Sequence, residues 1–228
     1  MNYEGLLELV KKRRTIRKFR SEPIPDEYVD KIIEAARWAP SGGNSQPWEF
    51  IVVKEQELRS KIIELVEEGF GKIAPKMEAT REPRLRFNFA PAGFVHAPVF
   101  IILCGDPRTK DAYPVGAQAL RDSIFNSSLA NAFLYMHLAA TTLGLGAQWE
   151  SAIALPYVQY LTKDLLGIPQ ELEFYDMMAV GYPDMEPGTR LVRAKEEMVH
   201  YNHYDQALFR TEEKVKDFIA TLRRGAAI

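Results

Sequence analysis

The spacing of apolar and polar positions along the chain predicts helices first, then strands and helices in irregular alternation. Leu6, Leu7 and Val10 share one face of a short first helix. In DEYVDKIIEAARWA, Val29, Ile32, Ile33 and Ala36 recur at helical spacing. Asp26 and Glu27 occupy its first turn, where acidic side chains suit the helix dipole, and Pro40 stops it. WEFIVV reads as a buried strand and EQELRSKIIELVEE as an amphipathic helix. Residues 69–95, rich in Arg, Pro and Phe, predict irregular structure. PVFIILCGD is a second strand. From about Ala117 to Thr142 runs a long helix whose stripe of Leu120, Ile124, Leu129, Phe133, Met136 and Ala140 is broad, with small residues between. Such a helix is buried on several sides, as at a centre or a subunit interface. GLGAQWES is a short strand, and LPYVQYLTKDLLGIP a helix closed by Gly167 and Pro169. LEFYDMMAVGYP is a strand, residues 183–205 are extended, and EEKVKDFIATLRR is a final helix.

This order predicts an α+β protein, a three-layer α/β/α sandwich around a mainly antiparallel sheet, as one domain over residues 1–228. No period of 20–50 residues repeats. No GxGxxG follows a strand, so a Rossmann dinucleotide fingerprint is absent. The arm and helix from residue 195 to 228 have little left to pack on within one domain and are expected to wrap a partner subunit.

Composition narrows the class. The chain has 228 residues, 46% apolar and 26% charged, with a formal net charge of −2. No overall field points to nucleic acid or a membrane surface. No stretch approaches the ~20 apolar residues of a bilayer span, and the first residues lack the apolar run of a signal peptide. The single cysteine, Cys104, sits inside an apolar strand and reads as a small buried hydrophobe. It forms no internal disulfide and fits a reducing, cytoplasmic setting.

Candidate chemistry is sparse. His200 and His203 are three apart with Asp205 near them, but nothing fixes a third metal ligand, so no metal is expected. Ser41 lacks a GxSxG context. Two features ask for a reason. One is KKRRTIRKFR, where Arg13, Arg14, Arg17, Lys18 and Arg20 crowd together while Thr15, Ile16 and Phe19 interleave. Guanidinium groups held beside a core suit an anion such as phosphate, which Arg binds through paired planar hydrogen bonds. Arg190 and Arg193 form a second basic group. The other feature is the run of small and polar residues from Pro40 to Pro47, between a helix and a strand.

RRTIRKF, IPDEYVDKIIEAARWAPSGGNSQPWEFIVV, LGLGAQWES and VGYPDMEP with its following Arg and EEMVHY together resemble the FMN-dependent nitroreductase family. The four motifs keep the family's order and spacing from about Leu6 to Tyr204. The resemblance implies a homodimer with two FMN sites at the subunit interface and exchanged terminal segments. It implies that Arg13, Arg14 and Thr15 contact the FMN phosphate and ribityl chain, and that Arg17 lies beside the pyrimidine edge of the ring. Pro40, Ser41, Gly42 and Asn44 match the loop that reaches the partner's flavin, with glycines where backbone approaches a planar ring. Gln46 and Trp48 fix that loop and the strand after it. Gly146, Ala147, Gln148, Trp149 and Glu150 match the segment lining the ring near N5. Arg190 and Arg193 match the basic phosphate-binding end of the last motif.

The activity implied is reduction of an electron-poor small molecule (a nitroaromatic, quinone or conjugated enone) by NAD(P)H, in ping-pong hydride transfer through flavin N5. No catalytic side chain is required, because the flavin carries the chemistry. Two alternatives stay open: a flavin-dependent dehydrogenase or oxidase, and a non-catalytic flavin-binding module. Residues 69–95 correspond to the family's variable lid. A deiodinase of this family grips its amino acid with a Glu-Tyr-Lys lid, but this chain has no Tyr between Tyr28 and Tyr113. Arg84 and Arg86, two apart in an extended stretch, would share a face and pair with the carboxylate of an anionic acceptor, while Phe87 and Trp149 cover its ring.

Overall fold

The structure, a computed structural model, describes residues 2–86, 93–114, 116 and 118–225. They form two compact units. The first comprises residues 1–70 and 91–187, the second residues 71–90 and 188–228.

The first unit is built on a four-stranded antiparallel sheet of β1 (Trp48–Val53), β2 (Val99–Gly105), β3 (Gly146–Glu150) and β4 (Glu173–Gly181), in the order β1-β2-β4-β3. In register, Ile51 faces Ile102, Ile101 faces Met178, and Trp149 faces Met178. Every residue of β2 is buried. Its side chains alternate between two cores, as the two-residue period of a strand requires. Val99, Ile101 and Leu103 meet Met178 and Val180 on one face, under α2 (Asp26–Arg37) and α4 (Gln118–Thr142). Phe100, Ile102 and Cys104 meet Met177 and Ala179 on the other, under the first part of α3 (Gln56–Ala79) and α5 (Pro156–Leu166). Each large apolar side chain so buried contributes roughly 1.5–3 kcal/mol. The layering is the α/β/α sandwich that the pattern predicts.

Local chemistry sets the ends of elements. Asn2 caps α1 (Tyr3–Lys12), its side chain accepting from the Gly5 amide at 3.0 Å. Gly167 ends α5 in the left-handed region with φ of 65°, where a β-carbon would be strained. Cys104 is buried, and burial pushes its thiol up to about 12, so it packs as an apolar side chain.

Three expectations are corrected. WEFIVV is not a fully buried strand: β1 is an edge strand, and only Val53 is buried. Residues 69–79 are not irregular, because α3 continues through Gly69, Gly71 and Pro75 to Ala79. Arg84 does not lie in an extended stretch, because Pro83–Leu85 is a turn of 3₁₀ helix.

The second unit holds the end of α3, that 3₁₀ turn and α6 (Glu212–Gly225). Arg84 binds the two helical pieces together, donating to Glu213 at 2.6 Å and Asp217 at 2.7 Å, and also to Glu82. Lys216 pairs with Glu212 at 2.7 Å and lies 3.8 Å from Glu82.

Candidate functional site

The basic segment after α1 is zipped into the first unit along its length. Thr15 forms a parallel bridge with Ala147 of β3, and the Ile16 amide donates to the Ala147 carbonyl at 3.0 Å. Phe19 bridges Pro183, the Arg20 amide donates to Tyr182 and the Asp184 amide to Lys18. Ile16 and Phe19 are buried while Arg17 and Lys18 are exposed and Arg13 and Arg14 half-buried. Interleaved apolar residues therefore anchor a row of cations beside β3. Gly146 makes the approach possible: a β-carbon there would stand 2.6 Å from Ile16.

Along β3, Gln148 is buried, and its Oε1 has no hydrogen-bond partner. Its Nε2 donates to Glu150 at 3.2 Å. The other Glu150 oxygen accepts from the Ala152 amide at 3.1 Å. Burial pushes the Glu150 carboxyl up; its hydrogen bonds with Ala152 and Gln148 oppose that, the negative charge of Asp176 adds to it, and Arg17 pulls it down.

Trp149 packs its ring edge on Phe133 of α4 with centroids 4.5 Å apart and stacks on His137 at 5.6 Å. Its indole N–H donates to Asp176 of β4 at 2.6 Å. His137 is buried with neither ring nitrogen hydrogen-bonded. Burial, with Arg13 nearby, lowers its pKa to about 4, so the ring is neutral at pH 7. Sequence reasoning missed His137 and Asp176 as members of this group. The available signal was a lone polar residue in an apolar helix stripe and another in an apolar strand.

The loop from Pro40 to Pro47 is fixed on α4. Asn131 donates to the Pro40 carbonyl at 3.0 Å, and the Gly42 amide donates to Ser128 Oγ at 3.1 Å. Ser45 and Tyr113 share a hydrogen bond of 3.0 Å, and the Gln46 amide donates to Ser41 Oγ at 3.1 Å. Gln46 thus helps to fix the loop, as expected. Gly43, Asn44 and Gln46 have positive φ, which glycine adopts freely and other residues only at a cost. The glycines also have a reason within the chain: a β-carbon on Gly42 would lie 2.1 Å from Ile124, and one on Gly43 would lie 2.9 Å from the Ala112 carbonyl.

The first unit thus brings Arg13, Arg14, Thr15 and Arg17 together with Gln148, Trp149 and Glu150. The loop meets α4 at Ser128 and Asn131, and Trp149 meets the same helix at Phe133 and His137. Arg84, Arg86, Arg190 and Arg193 belong to the second unit. There Arg193 donates to the Glu197 carbonyl at 2.8 Å, and Arg86 to the carbonyls of Arg81 and Ala79. Phe87 lies outside the described residues. His200 accepts from the Asp205 amide at 3.2 Å and stacks on Tyr204. Among the described residues no three His, Cys, Asp or Glu side chains are gathered as for a metal ion, and no helix is long and apolar enough to cross a membrane.

An antiparallel α/β/α sandwich with a row of arginines laid along a short strand is a recognisable class of architecture. The model of the Nitroreductase family matches residues 10–182, and the chain belongs to that family. A provisionally named NADH dehydrogenase/NAD(P)H nitroreductase of Archaeoglobus fulgidus is 30% identical over 184 residues, covering 80% of this chain and 88% of that one. Iodotyrosine deiodinase 1 of Rattus norvegicus is 30% identical over 195 residues, 80% of this chain and 64% of its own length. A Bacteroides fragilis nitroreductase solved with bound FMN superposes with a TM-score of 0.67 at 24% identity, covering 89% of this chain and 100% of that one. That last likeness concerns the fold.

Proposed function

We propose that the chain binds FMN and carries reducing equivalents from NAD(P)H to an electron-poor small molecule. The observation that carries this reading is the bridge between Thr15 and Ala147, which lays Arg13, Arg14 and Arg17 beside the buried Gln148 and the half-buried Glu150. The residues fit the cofactor. Arg13 and Arg14 would hold its phosphate, and Thr15 its ribityl chain. Arg17 would face the pyrimidine edge, where a cation favours negative charge. The Oε1 of Gln148 lacks a partner among the described residues. A buried acceptor in that state costs roughly 1–3 kcal/mol, which a ligand N–H would offset. Bound FMN supplies the hydride chemistry, and the protein binds, orients and excludes water.

The same reading includes a homodimer. The described residues of α1 include no buried one, Trp38 is 79% exposed, and Leu134 and Tyr135 of α4 face outward. In this reading a cofactor beside β3 would meet Pro40, Ser41, Gly42 and Asn44 from a second copy.

The test is the visible spectrum of the purified protein, identification of the flavin released on denaturation, and bleaching by NADH and by NADPH. Noncovalent FMN, bleached by at least one nucleotide and reoxidised by a panel of nitroaromatics, quinones and enones, is expected. The rat relative adds iodotyrosine to that panel. Recovery of FAD alone, failure to take up FMN, or a flavin-loaded monomer in sedimentation would overturn the reading.

A further inference from the structure

Arg17 combines a fixed backbone with an uncommitted side chain. Its amide donates to the thioether sulfur of Met185 at 3.2 Å. An amide keeps roughly 2.7–3.2 Å to an oxygen, and sulfur is the larger atom, so the two groups are in close contact. Gly93 crowds the rest of the residue: a β-carbon there would stand 2.6 Å from the Arg17 carbonyl oxygen and 2.8 Å from its Cβ. The residues on either side are tied as well, Ile16 to the Ala147 carbonyl and Lys18 to the Asp184 amide. Yet Arg17 is exposed, and among the described residues its guanidinium forms no hydrogen bond or ion pair. The chemistry of methionine suits this arrangement. A thioether accepts an N–H without carrying charge, whereas a carboxylate in its place would neutralise the guanidinium. The acidic neighbours Asp184 and Glu186 are exposed and pair with no cation among the described residues. Met185 itself is half-buried and packs on the core that holds Ile16 and Phe19.

We propose that Met185 is a positioning residue: its sulfur holds the Arg17 backbone so that the guanidinium stays at the pyrimidine edge of the flavin and sets the cofactor's reduction potential. The proposal rests on the reading of the chain as an FMN protein with Arg17 at that edge. Bound FMN gains negative charge on that side of the ring when it is reduced. A cation fixed there favours the reduced form over the oxidised one. A cation free to swing into water does so less, because the solvent dielectric weakens the attraction.

The experiment compares wild type, Met185→Leu and Gly93→Ala, each with Arg17 intact and as Arg17→Gln. Leucine keeps the apolar bulk and removes the acceptor, while the alanine β-carbon pushes on the same backbone. The first readout needs no cofactor: exchange of backbone amides in the apoprotein, followed by NMR. In Met185→Leu the Arg17 amide should exchange about tenfold faster, the loss of one hydrogen bond, with the Ile16 and Arg20 amides unchanged. The second readout is the midpoint potential of bound FMN. With Arg17 intact, both substitutions should weaken the preference for reduced over oxidised FMN about tenfold, a midpoint about 30 mV lower for a two-electron couple. In the Arg17→Gln background the same substitutions should leave the potential where it is, a coupling that a merely structural disturbance would not show. Unaltered exchange of the Arg17 amide, an unchanged potential in Met185→Leu, or an equal shift in both backgrounds overturns the proposal. A wild type that takes up no FMN overturns the functional reading, and with it any role for Met185 at a flavin.

Discussion

A β-carbon on Gly146 would stand 2.6 Å from Cγ1 of Ile16, so the bare backbone of the first residue seats the side chain of the second. The Thr15–Ala147 bridge depends on this approach. Gly146→Ala should cost about 1–3 kcal/mol, the range of an overpacked core, and should lower FMN content as the arginine row moves away from β3. Urea denaturation and the flavin-to-protein ratio measure the two effects. Wild-type values for both would mean that the segment is seated by other contacts.

His137 predicts acid sensitivity. Its folded pKa is lowered to about 4 from 6.5, so between those values the unfolded chain binds a proton that the folded chain refuses. Its contribution to stability is therefore complete above the unfolded pKa and is lost as pH falls toward 4, by up to ~3 kcal/mol. The raised carboxyls of Glu150 and Asp176 act in the opposite sense, since their contribution fades as pH rises through their folded values. His137→Phe keeps an aromatic ring for Trp149 and has nothing to protonate. Urea midpoints at pH 7 and pH 4.5 should lie closer together in that variant than in wild type. An identical pH response would remove His137 as the cause.

Arg13→Ala should weaken FMN binding by about 1.5–3 kcal/mol, the scale of a charge-assisted hydrogen bond. Titration of apoprotein with FMN, followed by quenching of flavin fluorescence, gives the affinity directly. An unchanged Kd would take Arg13 out of the phosphate site.

Arg84 donates to Glu82, Glu213 and Asp217 within the second unit, and an acceptor's carboxylate would have to displace those partners. The expectation is that Arg84→Ala speeds hydrogen exchange in α6 while altering kcat/KM equally for neutral and carboxylated forms of one aromatic acceptor. A selective loss for the carboxylated form would restore the acceptor-binding role expected from the sequence.

Periodicity made most of the fold legible. The stripe of α4 was legible in part: Leu129, Phe133, Met136 and Ala140 are buried, whereas Ile124 is half-buried and Leu120, near the start of the helix, is exposed. It failed where local preference and context diverge. Gly69, Gly71 and Pro75 signal a break, yet α3 runs through all three. WEFIVV, broken only by Glu49, has the apolar content of an interior strand, and its place at the sheet edge depends on strand order, which periodicity does not encode. In the candidate site, motif spacing brought out the arginine row and Gly146–Glu150. Asp176 and His137 belong to no motif. They join Trp149 only through the pairing of β3 with β4 and the packing of α4, contacts far apart in sequence.

The fixing of the Pro40–Pro47 loop on α4, with that loop proposed to serve the partner's flavin, has a genetic consequence. In the proposed dimer each active site draws its arginines from one chain and its loop from the other. Alleles damaged in Arg13 and alleles damaged in Gly42 would then fall into two complementation groups. Within a mixed dimer, both lesions converge on one site and leave the other whole, so two inactive genes expressed together yield a half-active protein.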